Sequence, residues 1–291
     1  MELIQAVILG IIQGLTEFLP ISSSGHLFLV PQLMGWPDAG SGFTAVIQLG
    51  TILAVLIYFR KDIARTLKAL VSAISDKSKR GTPDSKLAFA IAVGTIPIVV
   101  AGLVLEKKID NEFRSAYVIA GTLIFFGIVL WIAEQVGRRD RKLESVTVKD
   151  GIIIGLWQAL ALVPGSSRSG CTISGSLFGG MDRETAARFS FLLSIPAILL
   201  SGLYKLLKDR DELMVDGATN TIVATIISFV VGYGAIAFLM KFLQTRSTGI
   251  FVAYRIVLGI IVLVLVSTGR IQDKPMRSEA SSRNGVSQAA N

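Results

Sequence analysis

The stretch QGLTEFLPISSSGH, residues 13–26, interrupts an apolar segment that runs over residues 2–34. Pro20 and the serines after it are too polar to face lipid, and each apolar half is shorter than the about 20 residues that a helix needs to cross a bilayer. A second interruption, PGSSRSG at residues 164–170, divides the apolar segment 151–180 in the same way. Each segment is therefore predicted to form a re-entrant pair of half-helices that is buried among other helices.

The composition places these segments in a membrane protein. Of the 291 residues, 52% are hydrophobic and only 17% are charged, whereas a typical globular protein has about 25% charged residues. The mean hydropathy is +0.62. The net charge of +8 comes from cations that lie mainly between apolar runs, which favours contact with the headgroups of a lipid bilayer and argues against a nucleic-acid partner.

Six further runs are long enough to cross a bilayer as helices. They cover residues 43–59, 87–105, 117–134, 186–206, 220–240 and 250–267. One broken segment followed by three spans occurs twice, so we expect an all-α polytopic membrane protein built as an inverted repeat. Its halves are about 1–135 and 145–269 of a single membrane domain, 1–269, and the polar tail 270–291 is predicted to be disordered.

The loops between the runs predict the orientation. Residues 60–86 carry eight cations and residues 138–149 carry five, so the positive-inside rule puts both loops in the cytoplasm. The loops 106–116 and 207–219 then lie outside. The four cations of the tail also fall outside in this topology, which counts mildly against it.

The first break carries candidate catalytic residues. Gln13 and Glu17 are four residues apart and share one face of a helix. An ionisable group at membrane depth is costly and points to a function, although a carboxylate that is merely hydrogen-bonded by a neighbour is the alternative. His26 is the only histidine of the sequence, and an imidazole can act as nucleophile, base or acid near neutral pH.

The serines of the first break stand where the second half-helix begins. Ser22, Ser23 and Ser24 come just after Pro20, with Ile21 between them. Serines cap helix N-termini, and the unsatisfied amide groups of such a terminus bind phosphate. For each of the three, capping and chemistry both stay open at this point.

Arg168 is the strongest single indication in the second break. A guanidinium at membrane depth needs a partner, and its planar fork suits a phosphate oxyanion. An ion pair with Glu17 that locks the two halves together is the alternative, and it is compatible with a phosphate clamp. The predicted substrate-binding residues are Gln13, Ser22, Ser24, Gln48, Ser167, Ser169 and Thr172. Arg255, near the start of the last span, is expected to snorkel or to pair structurally.

The two motifs resemble one enzyme family. QGLTEFLPISSSGH is similar to the (E/Q)xxxE signature and following serine–histidine segment of the undecaprenyl-diphosphate phosphatases of the bacitracin-resistance type, and PGSSRSGCT (164–172) is similar to their PGxSRSxxT signature. The similarity extends from about residue 2 to 268. It implies hydrolysis of undecaprenyl diphosphate to undecaprenyl phosphate, recycling of the lipid carrier for peptidoglycan synthesis, and resistance to bacitracin.

The resemblance also implies roles for individual residues. It places the essential acidic residue on Glu17, the histidine on His26, the serine on Ser23 and the arginine on Arg168. It also implies dependence on a divalent cation, Mg²⁺ or Ca²⁺, and our hypothesis is that Glu17 binds this ion. The first acidic position of the signature is Gln13 here, which weakens any scheme in which two carboxylates hold the metal. Ser23, His26 or a water molecule stays open as the nucleophile.

The resemblance further implies the bacterial cytoplasmic (inner) membrane, with the site open to the external, periplasmic side. The expected partners are a polyprenyl diphosphate and the lipid bilayer, and a homodimer is left open. The main rival function is a secondary transporter or flippase for a lipid phosphate, because inverted repeats with broken helices are the usual transporter plan. The close grouping of Glu17, serines and His26 argues against it, and a membrane scaffold would leave Glu17 and Arg168 unexplained.

Overall fold

The computed structural model describes residues 1–208 and 218–274, and these residues form an almost entirely helical protein. This confirms the all-α fold class. Two short 3-10 helices, Lys77–Gly81 and Leu143–Ser145, join longer ones. The α-helices are α1 (Leu3–Phe18), α2 (Ser23–Met34), α3 (Gly40–Tyr58), α4 (Arg60–Ser75), α5 (Pro83–Asn111), α6 (Ala116–Val136), α7 (Val148–Leu160), α8 (Arg168–Phe178), α9 (Arg183–Lys208), α10 (Ala218–Thr245) and α11 (Gly249–Ser267).

Both predicted breaks are present. The first separates α1 from α2, and the second separates α7 from α8. With 16, 12, 13 and 11 residues, these helices are shorter than the about 20 residues that a crossing needs. The polar residues of the two breaks lie among the longer helices, where other protein groups form hydrogen bonds with their backbone N–H and C=O groups.

The six predicted spans all fall on helices. Five helices are long and apolar enough to cross a membrane, namely α5, α6, α9, α10 and α11, and α3 together with α4 adds a sixth if that bent pair counts as one span. The prediction of a loop over residues 60–86 is wrong in part. The first half of this segment forms the helix α4, because Asp62, Thr66 and Ala73 give it a face that packs on the protein. The axis of α4 is turned by 81° from that of α3.

The predicted tail and one predicted outer loop lie only partly within the described residues. Asp273, in the predicted tail, accepts a hydrogen bond from the backbone N–H of Ala116 at 2.8 Å, so the tail begins against the start of α6. Residues 275–291, and residues 209–217 of the predicted outer loop, lie outside the described part of the chain.

The halves pack against each other through closely approaching glycines. α1 lies against α10 and α7 lies against α5, so each half contributes one short helix to a long helix of the other. A Cβ added at Gly10 would lie 2.6 Å from the Ala224 carbonyl oxygen, and one added at Gly151 would lie 2.3 Å from that of Ala90. Only glycine permits this separation, as in close helix packing within lipid.

The two broken segments open toward opposite ends of the molecule. Asn220, at the start of α10, binds the carbonyl of Met1 at 2.7 Å, whereas Thr248, beyond the end of α10, binds Glu134 at the far end of α6. Arg141, on the Glu134 side, binds Asp150 at the start of α7. This arrangement agrees with an inverted repeat, and the exact halves stay a prediction.

Candidate active site

The second helix of each broken segment begins with the same local geometry. Ser22 caps α2 with φ 75° and ψ 97°, and Ser167 caps α8 with φ 69° and ψ 112°. Positive φ is uncommon for residues other than glycine, and such strain persists only where surrounding contacts hold it. The Ser22 hydroxyl accepts from the Gly25 N–H at 3.3 Å, and the Ser167 hydroxyl accepts from that of Gly170 at 3.1 Å.

The two breaks also bind each other directly. The Ser24 hydroxyl accepts a hydrogen bond from the Gly165 N–H at 3.1 Å, and the Ser169 hydroxyl donates to the Leu19 carbonyl at 3.1 Å. These reciprocal bonds hold the first turns of α2 and α8 side by side. The tertiary structure therefore brings together two helix N-termini, each with a partial positive charge.

The hydroxyls predicted to bind substrate mostly have partners within the protein. Ser22 and Ser167 cap helices, and Ser24 and Ser169 form the hydrogen bonds between the two breaks. The Thr172 hydroxyl donates to the Arg168 carbonyl at 2.8 Å, and it lies 2.5 Å from the Ser190 hydroxyl. The structural role that the sequence left open is thus present for each of them. Their contact with substrate stays a prediction.

Glu17 is the centre of a buried polar cluster that joins both halves. One carboxylate oxygen, Oε2, accepts from Gln13 Nε2 at 2.9 Å, Ser23 Oγ at 2.8 Å and Gln48 Nε2 at 3.4 Å. The other, Oε1, lies 3.2 Å from Nη2 of Arg168. Five residues selected from the sequence therefore meet at one point, and the Arg168–Glu17 ion pair that was considered as the alternative is present.

Arg168 uses only part of its hydrogen-bonding capacity. Its side chain is 11% exposed, and its Nε and Nη1 atoms are buried without a hydrogen-bond partner among the described residues. A buried donor without an acceptor costs about 1–3 kcal/mol, and more when it is charged. A guanidinium in this state, beside two helix N-termini, is suited to an anion with several oxygens.

His26 lies beside the Glu17 cluster and has other partners. Its Nδ1 is 2.7 Å from the Ser22 carbonyl, and its Nε2 is 2.6 Å from the Tyr254 hydroxyl. A carbonyl only accepts, so Nδ1 carries the hydrogen, and a neutral ring then accepts at Nε2 from Tyr254. The two rings are nearly parallel, with centroids 5.7 Å apart. No described hydrogen bond joins His26 to Glu17 or Arg168.

Arg255 donates hydrogen bonds to backbone carbonyls of both breaks, and its contact with the first break is to the Pro20 carbonyl at 3.5 Å. It is fully buried, so the expectation that it snorkels is wrong and the expectation of a structural role holds. Its guanidinium donates to backbone carbonyls of both the second break and α6, namely Gly165, Ser166, Thr122 and Leu123, at 2.8–3.3 Å. Tyr254, its neighbour in the chain, is a site residue that sequence reasoning misses, because nothing local distinguishes a tyrosine in an apolar span.

These features define a class of protein. Apolar helices of membrane-crossing length surround two broken segments, and Glu17 and Arg168 meet in a buried polar centre between them. The molecule is a multi-pass membrane protein with a polar site at membrane depth.

Comparison with known proteins identifies the family. The family described as "Bacitracin resistance protein BacA" matches residues 6–261, and the chain belongs to it. A protein of Chloroherpeton thalassium named undecaprenyl-diphosphatase is 52% identical over 281 residues, which cover 94% of this chain and 99% of that protein. Proteins with the same name from Chlorobaculum tepidum and Myxococcus xanthus are 51% and 49% identical, and the matches cover 93% of this chain with 99% and 91% of theirs.

Proposed function

We propose that this protein hydrolyses undecaprenyl diphosphate to undecaprenyl phosphate and inorganic phosphate, which recycles the lipid carrier for cell-wall synthesis and confers bacitracin resistance. The family and the names of its relatives support this activity. The observation that carries it is the buried arginine with two unused donor nitrogens, joined through Glu17 to a serine hydroxyl. The enzyme is a hydrolase that acts on a phosphoric anhydride.

Arg168 and the two helix N-termini bind the diphosphate. The Nε and Nη1 atoms of Arg168 donate to oxygens of the terminal phosphate, while Nη2 stays on Glu17. Phosphoryl transfer depends mainly on positioning and on electrostatic stabilisation of charge on the phosphate oxygens. The low-polarity surroundings strengthen these contacts, because the helices exclude water from the site.

Ser23 is the nucleophile that the geometry favours. Its hydroxyl donates to Glu17 Oε2 at 2.8 Å, which is the distance needed for transfer of that proton to a general base. Ser23 Oγ attacks the terminal phosphorus, its proton passes to Glu17, and the bond to the bridging oxygen breaks, so undecaprenyl phosphate leaves. Glu17 passes this proton to the departing undecaprenyl phosphate and is a carboxylate again. Water then attacks the phosphoserine and gives a proton to Glu17, which returns it to Ser23 Oγ as the bond from that oxygen to phosphorus breaks and phosphate is released.

His26 acts on this reaction through α2. Its Nδ1–H holds the Ser22 carbonyl, one residue before Ser23, and its Nε2 is held by Tyr254. Both nitrogens are therefore engaged in fixing the first turn that carries the nucleophile. This makes His26 a positioning residue in the scheme, in place of the direct attack that the sequence left open.

A divalent cation, Mg²⁺ or Ca²⁺, fits the oxygen atoms of the site. The Glu17 carboxylate lies beside the Gln13 amide, whose Oε1 is buried without a hydrogen-bond partner among the described residues. One carboxylate, an amide oxygen and substrate phosphates are a donor set typical of Mg²⁺. Such an ion, held by Glu17 and Gln13, would neutralise charge on the phosphate oxygens. Among the described residues, no group of three or more His, Cys, Asp or Glu is placed to hold a metal ion by itself.

The protein is assigned to the bacterial cytoplasmic membrane with its site open to the external side. Asp62 of α4 pairs with Arg188, and Glu134 near the end of α6 pairs with Arg183 of the same helix α9. The cation-rich segments 60–86 and 138–149 therefore lie at one end of the molecule, and such an end faces the cytoplasm. Phosphate release should therefore occur in right-side-out vesicles supplied with external substrate. Release that requires inverted vesicles would overturn this orientation.

The activity itself is tested with the purified full-length protein in detergent. A polyprenyl diphosphate and Mg²⁺ are supplied, and phosphate release is measured for wild type, Ser23→Ala, Glu17→Gln and Arg168→Gln. Release by the wild type, its loss in the variants and its abolition by a chelator are the expected results. Absence of release by the wild type, with transbilayer movement of the lipid in vesicles, would favour the flippase. Full phosphate release in the presence of the chelator would overturn the proposed requirement for a divalent cation.

A further inference from the structure

The helix α4 has its apolar side chains on the face that the protein leaves uncovered. The face that packs on the protein carries Asp62, Thr66 and Ala73. The large apolar residues lie away from it and are 56%, 64% and 64% exposed, namely Leu67, Val71 and Ile74. In a water-soluble helix the apolar face packs inward. Packing within this chain therefore does not explain these three residues, which we call the outer stripe.

A row of cations runs along the third face of α4. Lys61, Arg65 and Lys68 follow at helical spacing and all are exposed. Arg65 is paired with Asp84 at 3.0 Å, whereas Lys61 and Lys68 form no ion pair with any residue in the described ranges. A helix with an apolar stripe beside a row of unpaired lysines matches the interfacial helices that lie in the headgroup layer of a membrane.

The bend between α3 and α4 sets the direction of α4 relative to a membrane that α3 crosses. The helix leaves α3 at 81°, so where α3 crosses the membrane, α4 runs nearly parallel to its plane. The apolar residues Leu53 and Ile57 of α3 are also exposed and extend the lipid-facing surface up to the bend. The segment after α4 carries Lys77, Lys79 and Arg80 in an exposed turn, which belongs in water.

We propose that α4 is an interfacial helix that binds anionic phospholipids, with the outer stripe among the upper acyl chains and Lys61 and Lys68 on the lipid phosphates. The positive charge of the row selects an anionic lipid over a zwitterionic one. The proposal does not depend on the catalytic activity, because no residue of α4 belongs to the Glu17 cluster.

The charge of the row is tested by lipid binding to the full-length protein. Phosphatidylglycerol and phosphatidylcholine are titrated in detergent, and bound lipid is counted by native mass spectrometry. Lys61→Gln with Lys68→Gln should weaken binding of phosphatidylglycerol by about five-fold for each lysine and leave phosphatidylcholine unchanged. The matched control is Lys241→Gln with Arg246→Gln, which removes two exposed cations elsewhere. Equal losses in both pairs, or no loss in the first, would overturn the proposal.

The depth of the outer stripe is tested by fluorescence quenching. Cys171 is buried, so a single introduced cysteine carries the label, and Val71→Cys is compared with Lys79→Cys in nanodiscs. Lipids brominated on the upper acyl chain should quench the label at 71 strongly, whereas aqueous iodide should quench the one at 79. Iodide quenching at 71 would place the stripe in water and overturn the proposal. Shielding from both quenchers would mean that a protein covers the stripe, and this result would overturn the proposal as well.

Discussion

At the residue scale, Arg168 is the group whose surroundings are incomplete. A guanidinium has five N–H donors and no acceptor, and in this protein its only described acceptor is Glu17. The neighbouring hydroxyls are occupied by caps and by the bonds between the two breaks. An anionic ligand that places two oxygens in the plane of the guanidinium supplies the missing acceptors, and a phosphate group can do so.

Replacement of Arg168 by lysine keeps the charge and removes the fork. Arg168→Lys should lower kcat/KM for phosphate release roughly 10- to 150-fold, because a hydrogen bond to a charged group contributes about 1.5–3 kcal/mol. The measurement is steady-state phosphate release with a polyprenyl diphosphate. Arg246→Lys, at an exposed position, is the control and should match wild type. Unchanged kinetics in Arg168→Lys would mean that the fork does not bind the phosphate.

We expect Tyr254 to affect phosphate release only through its hydrogen bond with His26. Tyr254→Phe keeps the stacked ring and removes the hydroxyl that lies 2.6 Å from Nε2, so phosphate release should fall about five-fold, the equivalent of about 1 kcal/mol for one hydrogen bond. In a His26→Gln background the same change should have no further effect, because the two residues act as one unit. Tyr233→Phe, at an exposed tyrosine of α10, is the control. If the losses of phosphate release in the two single variants add up in the double variant, Tyr254 acts independently of His26.

At the element scale, helix ends and helix contacts decide the geometry of the site. The predicted breaks are correct because proline, glycine and serine runs at membrane depth leave few alternatives. The predicted loop over residues 60–86 is wrong at α4, because a high density of charge does not exclude a helix. A cationic, amphipathic sequence also forms a helix where a membrane surface and a protein face are both available.

The crossing of α7 over α5 should tolerate no side chain. In Gly155→Ala the new Cβ would lie 2.3 Å from the Gly94 carbonyl oxygen, so we expect a loss of stability of about 1–3 kcal/mol from overpacking. Thermal unfolding in detergent measures it as a lowered Tm. Gly121→Ala in α6 meets nothing within 4 Å and should hold or raise the Tm, since alanine favours a helix. Equal Tm values for the two variants would contradict the close approach.

At the scale of the whole molecule, the connection between α6 and α7 fixes the second broken segment to the rest. Arg141 donates to both carboxylate oxygens of Asp150 at 2.9 and 2.7 Å and to the Gly179 carbonyl at 2.9 Å. The start of α7 and the end of α8 are thereby tied to one side chain. The cations of this loop, which the sequence assigns to orientation alone, also stabilise the fold.

Removal of Arg141 should destabilise the protein in a pH-dependent way. Burial raises the pKa of Asp150, but hydrogen bonds from Arg141 and Thr147 outweigh it and leave that pKa below its ordinary value. The Arg141–Asp150 pair therefore adds to the free energy of unfolding above about pH 4. This stabilisation is lost as the pH falls through the lowered pKa of Asp150. Arg141→Gln should cost about 3 kcal/mol near neutral pH, and the difference from wild type should narrow in acid.

Thermal unfolding at a series of pH values measures this difference. Arg138→Gln is the control, since that side chain is 74% exposed and its carboxylate partner Asp140 is 59% exposed. A difference between Arg141→Gln and wild type that stays constant into acid would rule out the ion pair as its cause.

The sequence by itself determined the membrane class, the two breaks, the spans and the residues that meet at Glu17. Apolar length and isolated charge act locally, so they can be read along the chain. Only the tertiary structure decided which groups are in contact: Ser23 with Glu17, His26 with Tyr254, and Arg255 with both breaks. His26 and Tyr254 are separated by 228 positions. Contacts of that range arise from helix packing, and no local pattern encodes them.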